Sequence, residues 1–296
     1  MRSIGWRIER LPAAAAFVVY AVMGLVLFGQ PLLHPGGHEC LCIGSTTDAG
    51  VYVWAFRWWP HALLHGLNPF VTHLLYAPQG INLAHGTLVP GAALIFAPVT
   101  AIAGPLFSFD LAMLLSPVLA AFFAFLLCRR VTRSFWPALV GGWLFGFSSF
   151  MLGQLVGHLN LTLVFLVPAV VHLVLRALAG ELSRRRFAVL MTAALVLQFS
   201  FSVEVFAAMT MFGAVALAFA YTFGEAGIRA RLRALLGPIS VSYLSAVVLV
   251  SPYLYYALQP GGAPVLHGRT DLFSSDLLGF VVPTQITQLG GADFIT

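Results

Sequence analysis

Lysine is absent from this chain: all 15 of its lysine-plus-arginine residues are arginines. Charge of either sign is scarce, at 8% of 296 residues, while 60% are hydrophobic; soluble domains carry about a quarter charged residues. So little charge cannot cover a water-facing surface, which excludes a soluble globular domain and leaves an integral membrane protein. Cysteine is also rare. Cys40 and Cys42 lie too close for an easy mutual bridge and Cys128 ends an apolar run, so the three cysteines imply no disulfide framework. No P-loop, dinucleotide fingerprint, H-E-x-x-H or G-x-S-x-G run occurs, so nucleotide hydrolysis and zinc proteolysis find no support. His34, His38, Glu39, Cys40 and Cys42 gather in PLLHPGGHECLC, but without the ligand spacing of a zinc site. Arginine in place of lysine, with abundant Ala, Gly and Pro, suggests a GC-rich genome and hence a bacterial chain.

What the chain has instead is a series of apolar runs near the roughly 20 residues that cross about 30 Å of hydrocarbon. The first, 11–33, follows an arginine-bearing start and exceeds a signal-peptide core. No small-x-small cleavage pattern follows it, so it reads as an uncleaved span. Arginine marks the cytoplasmic side, and its clusters are Arg2/Arg7/Arg10, Arg129/Arg130/Arg133, Arg184/Arg185/Arg186 and Arg229/Arg231/Arg233. An even number of crossings must then separate neighbouring clusters. Runs 136–153 and 160–178 satisfy this, as do 187–203 and 205–223, turning near Glu204. Of 11–33, 87–104 and 107–128, one cannot cross. The run 87–104 is short and broken by Pro90, Gly91 and Pro98, so a re-entrant or interfacial segment is expected there. A final span, 238–258, exits to an external C-terminal segment, 259–296, which is either a minimal form or continues in a longer chain.

The expected fold is therefore all-α: a polytopic membrane helical bundle of about seven spans, with residues 1–258 as the membrane module and an elaborated external loop at 34–106. The N-terminus is cytoplasmic, in a plasma (inner) membrane, and no nucleic-acid partner is expected. Thirteen of the 15 arginines fall at the cytoplasmic side; Arg57 and Arg269 are the exceptions. Glu39, Asp48, Asp271, Asp276 and Asp293 lie outside, with Asp110 and Glu204 near the outer ends of spans.

Residues 45–70, STTDAGVYVWAFRWWPHALLHGLNPF, are too aromatic for an ordinary loop and too polar for a span. From Gly50 to Gly66 they predict an interfacial helix. Val51, Tyr52, Trp54, Phe56, Trp58, Trp59 and Leu63 form its apolar face, and Arg57, His61 and His65 a polar stripe. Asp48 stands just before it, as an N-cap or as something more. Pro60 predicts a kink.

A short cytoplasmic start, one span, then an external loop with an acidic residue and interfacial helices resembles the GT-C superfamily of membrane glycosyltransferases. The resemblance is carried by TTDAGVYVWAFRWW, by HGLNPF (65–70) with YAPQGINL (76–83), and by RRVTRSFWPALVGGWLFGFSSFMLGQLVGHLN (129–160). It implies transfer of a sugar from a polyprenyl-phosphate-linked donor to a glycan, lipid or protein acceptor, among membrane lipids, at the outer face. Asp48 matches the acidic residue that acts as general base, with inversion at the anomeric carbon. Arg57 and Arg269, the two external arginines, are expected to stabilise the departing lipid phosphate. Where the superfamily often has a second carboxylate this chain reads GQLVGHLNL, so His158 and Asn160 are expected to bind phosphate or sugar. A divalent cation, Mg²⁺ or Mn²⁺, is left open, because such hard ions prefer carboxylate oxygens. His61 and His85 are further candidates for substrate binding, as are Glu204, which interrupts a long apolar stretch, and Asp276, in DLFSSDLLGFVVP. The alternatives are a transporter or flippase of lipid-linked sugars, or a non-catalytic assembly subunit.

Overall fold

The computed structural model describes residues 12–33 and 47–260. The all-α expectation holds. The helices are α1 Ala13–Phe28, α2 Gln30–Leu33, α3 Thr47–Leu64, α4 Pro90–Ile95, α5 Ala97–Thr132, α6 Phe135–Gly146 and α7 Ser149–Gln154. They continue with α8 Leu159–Thr162, α9 Leu166–Leu178, α10 Arg184–Phe201, α11 Val203–Phe223, α12 Ala226–Leu249 and α13 Ser251–Ala257. Two short antiparallel strands, β1 Val71–Thr72 and β2 Ile81–Asn82, were not expected. Two residues per strand are too few for alternation to show in sequence.

Among the described residues five stretches are long and apolar enough to cross a membrane: Ala97–Thr132, Phe135–Gln154, Leu159–Leu178, Val203–Phe223 and Ala226–Leu249. These correspond to five of the seven expected spans, so the chain is a polytopic helical protein. The other two are shorter. Helix α1 has 16 residues, about 24 Å of helix. Helix α10 has 18, about 27 Å, and opens on three arginines.

The boundaries move for physical reasons. Helix α5 is broken at Gly104 (φ 88°, ψ 165°), so residues 97–103 form a short helical piece before the long one. With α4 it accounts for the run 87–104: two short helices, neither long enough to span. Helix α12 starts at Ala226 rather than at Pro238 and carries Arg229, Arg231 and Arg233 in its first turns. Arginine is a good helix former and needs no core, so the cluster is helix rather than loop. The α10–α11 turn falls at Ser202, whose hydroxyl accepts a hydrogen bond from Val205 N and caps α11.

In lipid, helices associate through close packing rather than through removal of apolar surface from water. Helices α5 and α6 show how. A Cβ added at Gly146 would stand 2.5 Å from Ala121 Cβ and from Pro117 O, and one at Gly142 2.5 Å from Ala121 O. The G-x-x-x-G spacing of these two glycines lets the backbones touch. Tyr20 of α1 crosses to the same place, its hydroxyl donating to Leu139 O at 2.7 Å. Helix α11, by contrast, buries none of its residues.

The helices sort polar groups to two ends. At one, Arg130 and Arg176 meet Glu181, and Arg184–Arg186 and Arg229–Arg233 stand nearby. At the other are the start of α3, the α7–α8 turn, the α10–α11 turn and α13. There α13 is tied to the hairpin: Tyr253 donates to Ala84 O (2.8 Å) and Asn82 to Tyr256 O (2.7 Å).

Candidate functional site

Helix α3 lies against the bundle at this second end through an aromatic face. Tyr52, Phe56, Trp58 and Trp59 are buried. Tyr52 stacks on Phe109 of α5 with ring centroids 6.3 Å apart, and Phe56 meets Phe96 edge-on at 5.9 Å. Val51 and Leu63, expected on the same face, are about half exposed instead, at 47% and 52%. Packing fixes the register of α3 and so fixes what its first turn presents.

That first turn presents Asp48. Its Oδ2 lies 3.3 Å from His158 Nε2, contributed by the residue that precedes α8. One turn further along α3, the Tyr52 hydroxyl donates to Asn160 Oδ1 at 2.5 Å. Asn160 in turn donates from Nδ2 to Glu204 Oε2 (3.4 Å), which also accepts from the Ser202 hydroxyl at 2.9 Å. Four of the expected site residues, Asp48, His158, Asn160 and Glu204, thus converge from α3, α8 and α11. The joining groups, Tyr52 and Ser202, went unremarked as polar members in the sequence. Tyr52 is four residues after Asp48, on the same helical face, and that spacing was the available signal.

The electrostatics are unequal. Asp48 is open, its side chain 56% exposed, whereas Asn160 is buried and His158 about one-third exposed, with Nδ1 buried and without a hydrogen-bond partner. Burial pushes the Tyr52 hydroxyl up to about 12, helped by the charges of Asp48 and Glu204 and opposed by a hydrogen bond with Thr87. Tyr253, whose ring packs edge-on to Phe70, is also raised, by burial first and then by Glu204. Both phenols stay neutral donors at ordinary pH.

Beside Asp48 is a cavity of about 580 Å³, within the size range of small-molecule sites. Asp48, Val51 and Tyr52 form one wall; Leu75, Tyr76 and Ile81 of the hairpin form another, and Gly86–Leu88 close it. The hairpin is held by Gly80 (φ +77°), where a Cβ would sit 2.7 Å from Thr72 O. Val89, next to the cavity, is buried with φ 41°, a left-handed conformation that is unusual for a β-branched residue. Strain of this kind collects at functional sites.

The remaining expectations fall elsewhere. Arg57 is exposed, about 13.5 Å further along α3 than Asp48 and about half a turn round, so it does not reach this carboxylate. His61 packs against His65, the rings tilted and their centroids 4.1 Å apart, on the same far part of the helix. His85 is exposed and bonds from Nε2 to Ala257 O at 3.1 Å, bracing α13 rather than lining the cavity. Arg269 and Asp276 lie outside the described residues, as do His34, His38, Glu39, Cys40 and Cys42. Among the described residues no group of three or more His, Cys, Asp or Glu forms a metal cluster. Among the described residues the donor set at Asp48 is one carboxylate and one imidazole, which does not fit a hard divalent cation that favours several oxygens.

The chain belongs to DUF6311, a domain family of unknown function, whose profile matches residues 17–292. No curated protein and no solved structure matches it.

Proposed function

We propose that this chain is a GT-C-like glycosyltransferase that moves a sugar from a polyprenyl-phosphate-linked donor to an acceptor hydroxyl at the outer face of the plasma membrane. The observation that carries the reading is the position of Asp48: an open carboxylate at a largely apolar cavity, 3.3 Å from His158. Asp48 takes the proton of the acceptor hydroxyl as that oxygen bonds to the anomeric carbon. The bond from that carbon to the phosphate oxygen breaks, its electron pair leaves with the lipid phosphate, and the configuration inverts. A positioned base of this kind contributes about 10²–10⁴-fold in rate.

Negative charge grows on the departing phosphate, and a preorganised cation there lowers the barrier. Because Arg57 points away from Asp48, Arg269 is the expected cation left for that part, while His158 orients the Asp48 carboxylate through Nε2. Asn160 and Glu204 then hold Tyr52 and the start of α11 against the site. The apolar wall of Leu75, Ile81, Leu83 and Leu88 suits a donor whose carrier is a hydrocarbon chain. No step is routed through a metal.

The test is transfer or donor hydrolysis by purified protein in lipid, supplied with a panel of polyprenyl-phosphate sugars, comparing the parent with Asp48→Asn. Activity lost in a variant whose unfolding temperature matches the parent supports the reading. A fully active Asp48→Asn places the base elsewhere.

A further inference from the structure

We infer that the arginine-bearing end carries a discrete binding site for the phosphate headgroup of an anionic phospholipid, seated between the α9–α10 turn and α12. A cavity of about 360 Å³ opens there, with Arg184 and Arg231 at its polar side and Leu182, Phe187 and Leu235 among its apolar lining. It lies where two membrane-length helices end, so its occupant has both a charged group and acyl chains. This inference does not depend on the transferase reading.

The wall of the cavity is built before any lipid arrives. Helix α9 ends in a turn in which Gly180, at φ +77°, donates from N to Ala177 O and Glu181 N donates to Arg176 O, both at 3.0 Å. This double bond pattern closes a helix C-terminus around a left-handed glycine. Glu181 then clasps Arg130 through two contacts, 2.5 and 3.2 Å, and Arg176 at 3.2 Å. The clasp fixes the turn and uses those two guanidinium groups internally.

Arg184 and Arg231 are left for an external anion. Arg231 gives one donor, Nη1, to Leu178 O at 3.3 Å, which ties its planar fork to the turn while other donors stay available. The Arg184 guanidinium makes no hydrogen bond or ion pair among the described residues. The surroundings cannot neutralise them. Arg129, Arg130, Arg133, Arg176, Arg184, Arg185, Arg186, Arg229, Arg231 and Arg233 share this end with only two described carboxylates, Glu181 and Glu225. Two guanidinium groups over an apolar floor complement a phosphodiester whose tails enter the bilayer.

The experiment is a native mass spectrometry titration of the whole chain, in detergent, with dioleoyl phosphatidylglycerol, dioleoyl phosphatidylcholine or inorganic phosphate. Phosphatidylglycerol is expected to be retained on the parent, and Arg184→Gln with Arg231→Gln to weaken it about 30-fold, from about fivefold for each arginine. The paired control Arg185→Gln with Arg186→Gln removes the same charge away from the cavity and is expected to cost less than threefold. A third variant, Ala234→Phe, leaves the charge unchanged and fills the cavity; it is expected to reduce retention as the double variant does. Equal losses in the two arginine pairs mean only diffuse attraction and overturn the site. So do equal retention of phosphatidylcholine, binding of inorganic phosphate in place of the lipid, and full retention by Ala234→Phe.

Discussion

At one end of the helices Glu181 accepts from Arg130 and Arg176, and its carboxyl is held below the ordinary carboxylate range. At the other end Asp48 faces, among the described residues, a single imidazole and lines the cavity. Both are exposed carboxylates on a chain with 10 acidic residues, yet their surroundings differ in kind. Glu181 is saturated by guanidinium groups and serves to fix a turn. Asp48 is held in place indirectly, because the helix that bears it is locked by buried aromatic rings and by the Tyr52–Asn160–Glu204 chain. A carboxylate positioned by its neighbours' bonds rather than its own keeps its lone pairs available for a proton. That difference separates a structural anion from a candidate base.

The sharpest way to break the comparison is to neutralise each carboxylate. Asp48→Asn is expected to lower sugar transfer by about 10²–10⁴-fold, and Glu181→Gln to leave it within about threefold, a tolerance chosen to exceed the small effects of surface ion pairs. Steady-state rates with the same donor check both. If Glu181→Gln loses as much as Asp48→Asn, the two ends are not functionally distinct.

A smaller effect tests the buried chain. Asn160→Leu removes the acceptor of the Tyr52 hydroxyl and leaves that group with Thr87 alone, inside protein. The expected cost is about 1–3 kcal/mol in unfolding free energy, the usual range for an orphaned buried partner. Chemical unfolding in detergent measures it. Arg176→Gln, at the other end, removes a bond to a carboxylate that water can replace and is expected to shift the same measurement less. Equal shifts would show that the Asn160 bridge is no more than a surface contact.

Tyr52 gives a pH test of the same chain. Its folded value, about 12, lies above the ordinary 10.0, so its neutral form is the one the fold favours. That contribution is whole below pH 10 and is lost as pH rises towards 12. The parent is expected to lose more stability between pH 9 and about 12 than Tyr52→Phe does. Parallel curves would mean that Tyr52 ionises as freely folded as unfolded.

Much of this contrast was legible in the sequence. Parity of apolar runs between arginine clusters sends the loops at Asp48, His158 and Glu204 to one end, and that is where they meet. What parity cannot supply is the face of a helix. Arg57 is expected at the departing phosphate because it is one of the two external arginines; on α3 it stands about half a turn from Asp48. Tyr52 looked like one more apolar aromatic, although it shares the Asp48 face. The cavity wall was out of reach for another reason. Residues 71–82 make two-residue strands set by Gly80 and by contacts from α13, and neither leaves a periodic trace. The last span differs in the opposite direction: the apolar run starts at Pro238, but a helix bearing the arginine cluster has already begun at Ala226.

The smallest expected effect belongs to Glu181. Its carboxyl is depressed below the ordinary 4.5 chiefly by the hydrogen bond from Arg130, with Arg176 adding to it and burial opposing. A depressed folded value means that the fold favours the ionised form. The stabilisation is present above the unfolded value and is lost as pH falls through the folded one. The Glu181 side chain is open to solvent, so water screens the pair and the loss is slight. The parent and Glu181→Gln are therefore expected to differ slightly in unfolding temperature at pH 7 and to coincide once the carboxyl is protonated, well below pH 4.5. Added salt at pH 7 should narrow the same gap, because it screens exposed charges. A gap that survives both acid and salt would mean that the turn depends on the shape of the Glu181 side chain rather than on its charge. The lipid site built on that turn would then be preorganised by packing alone.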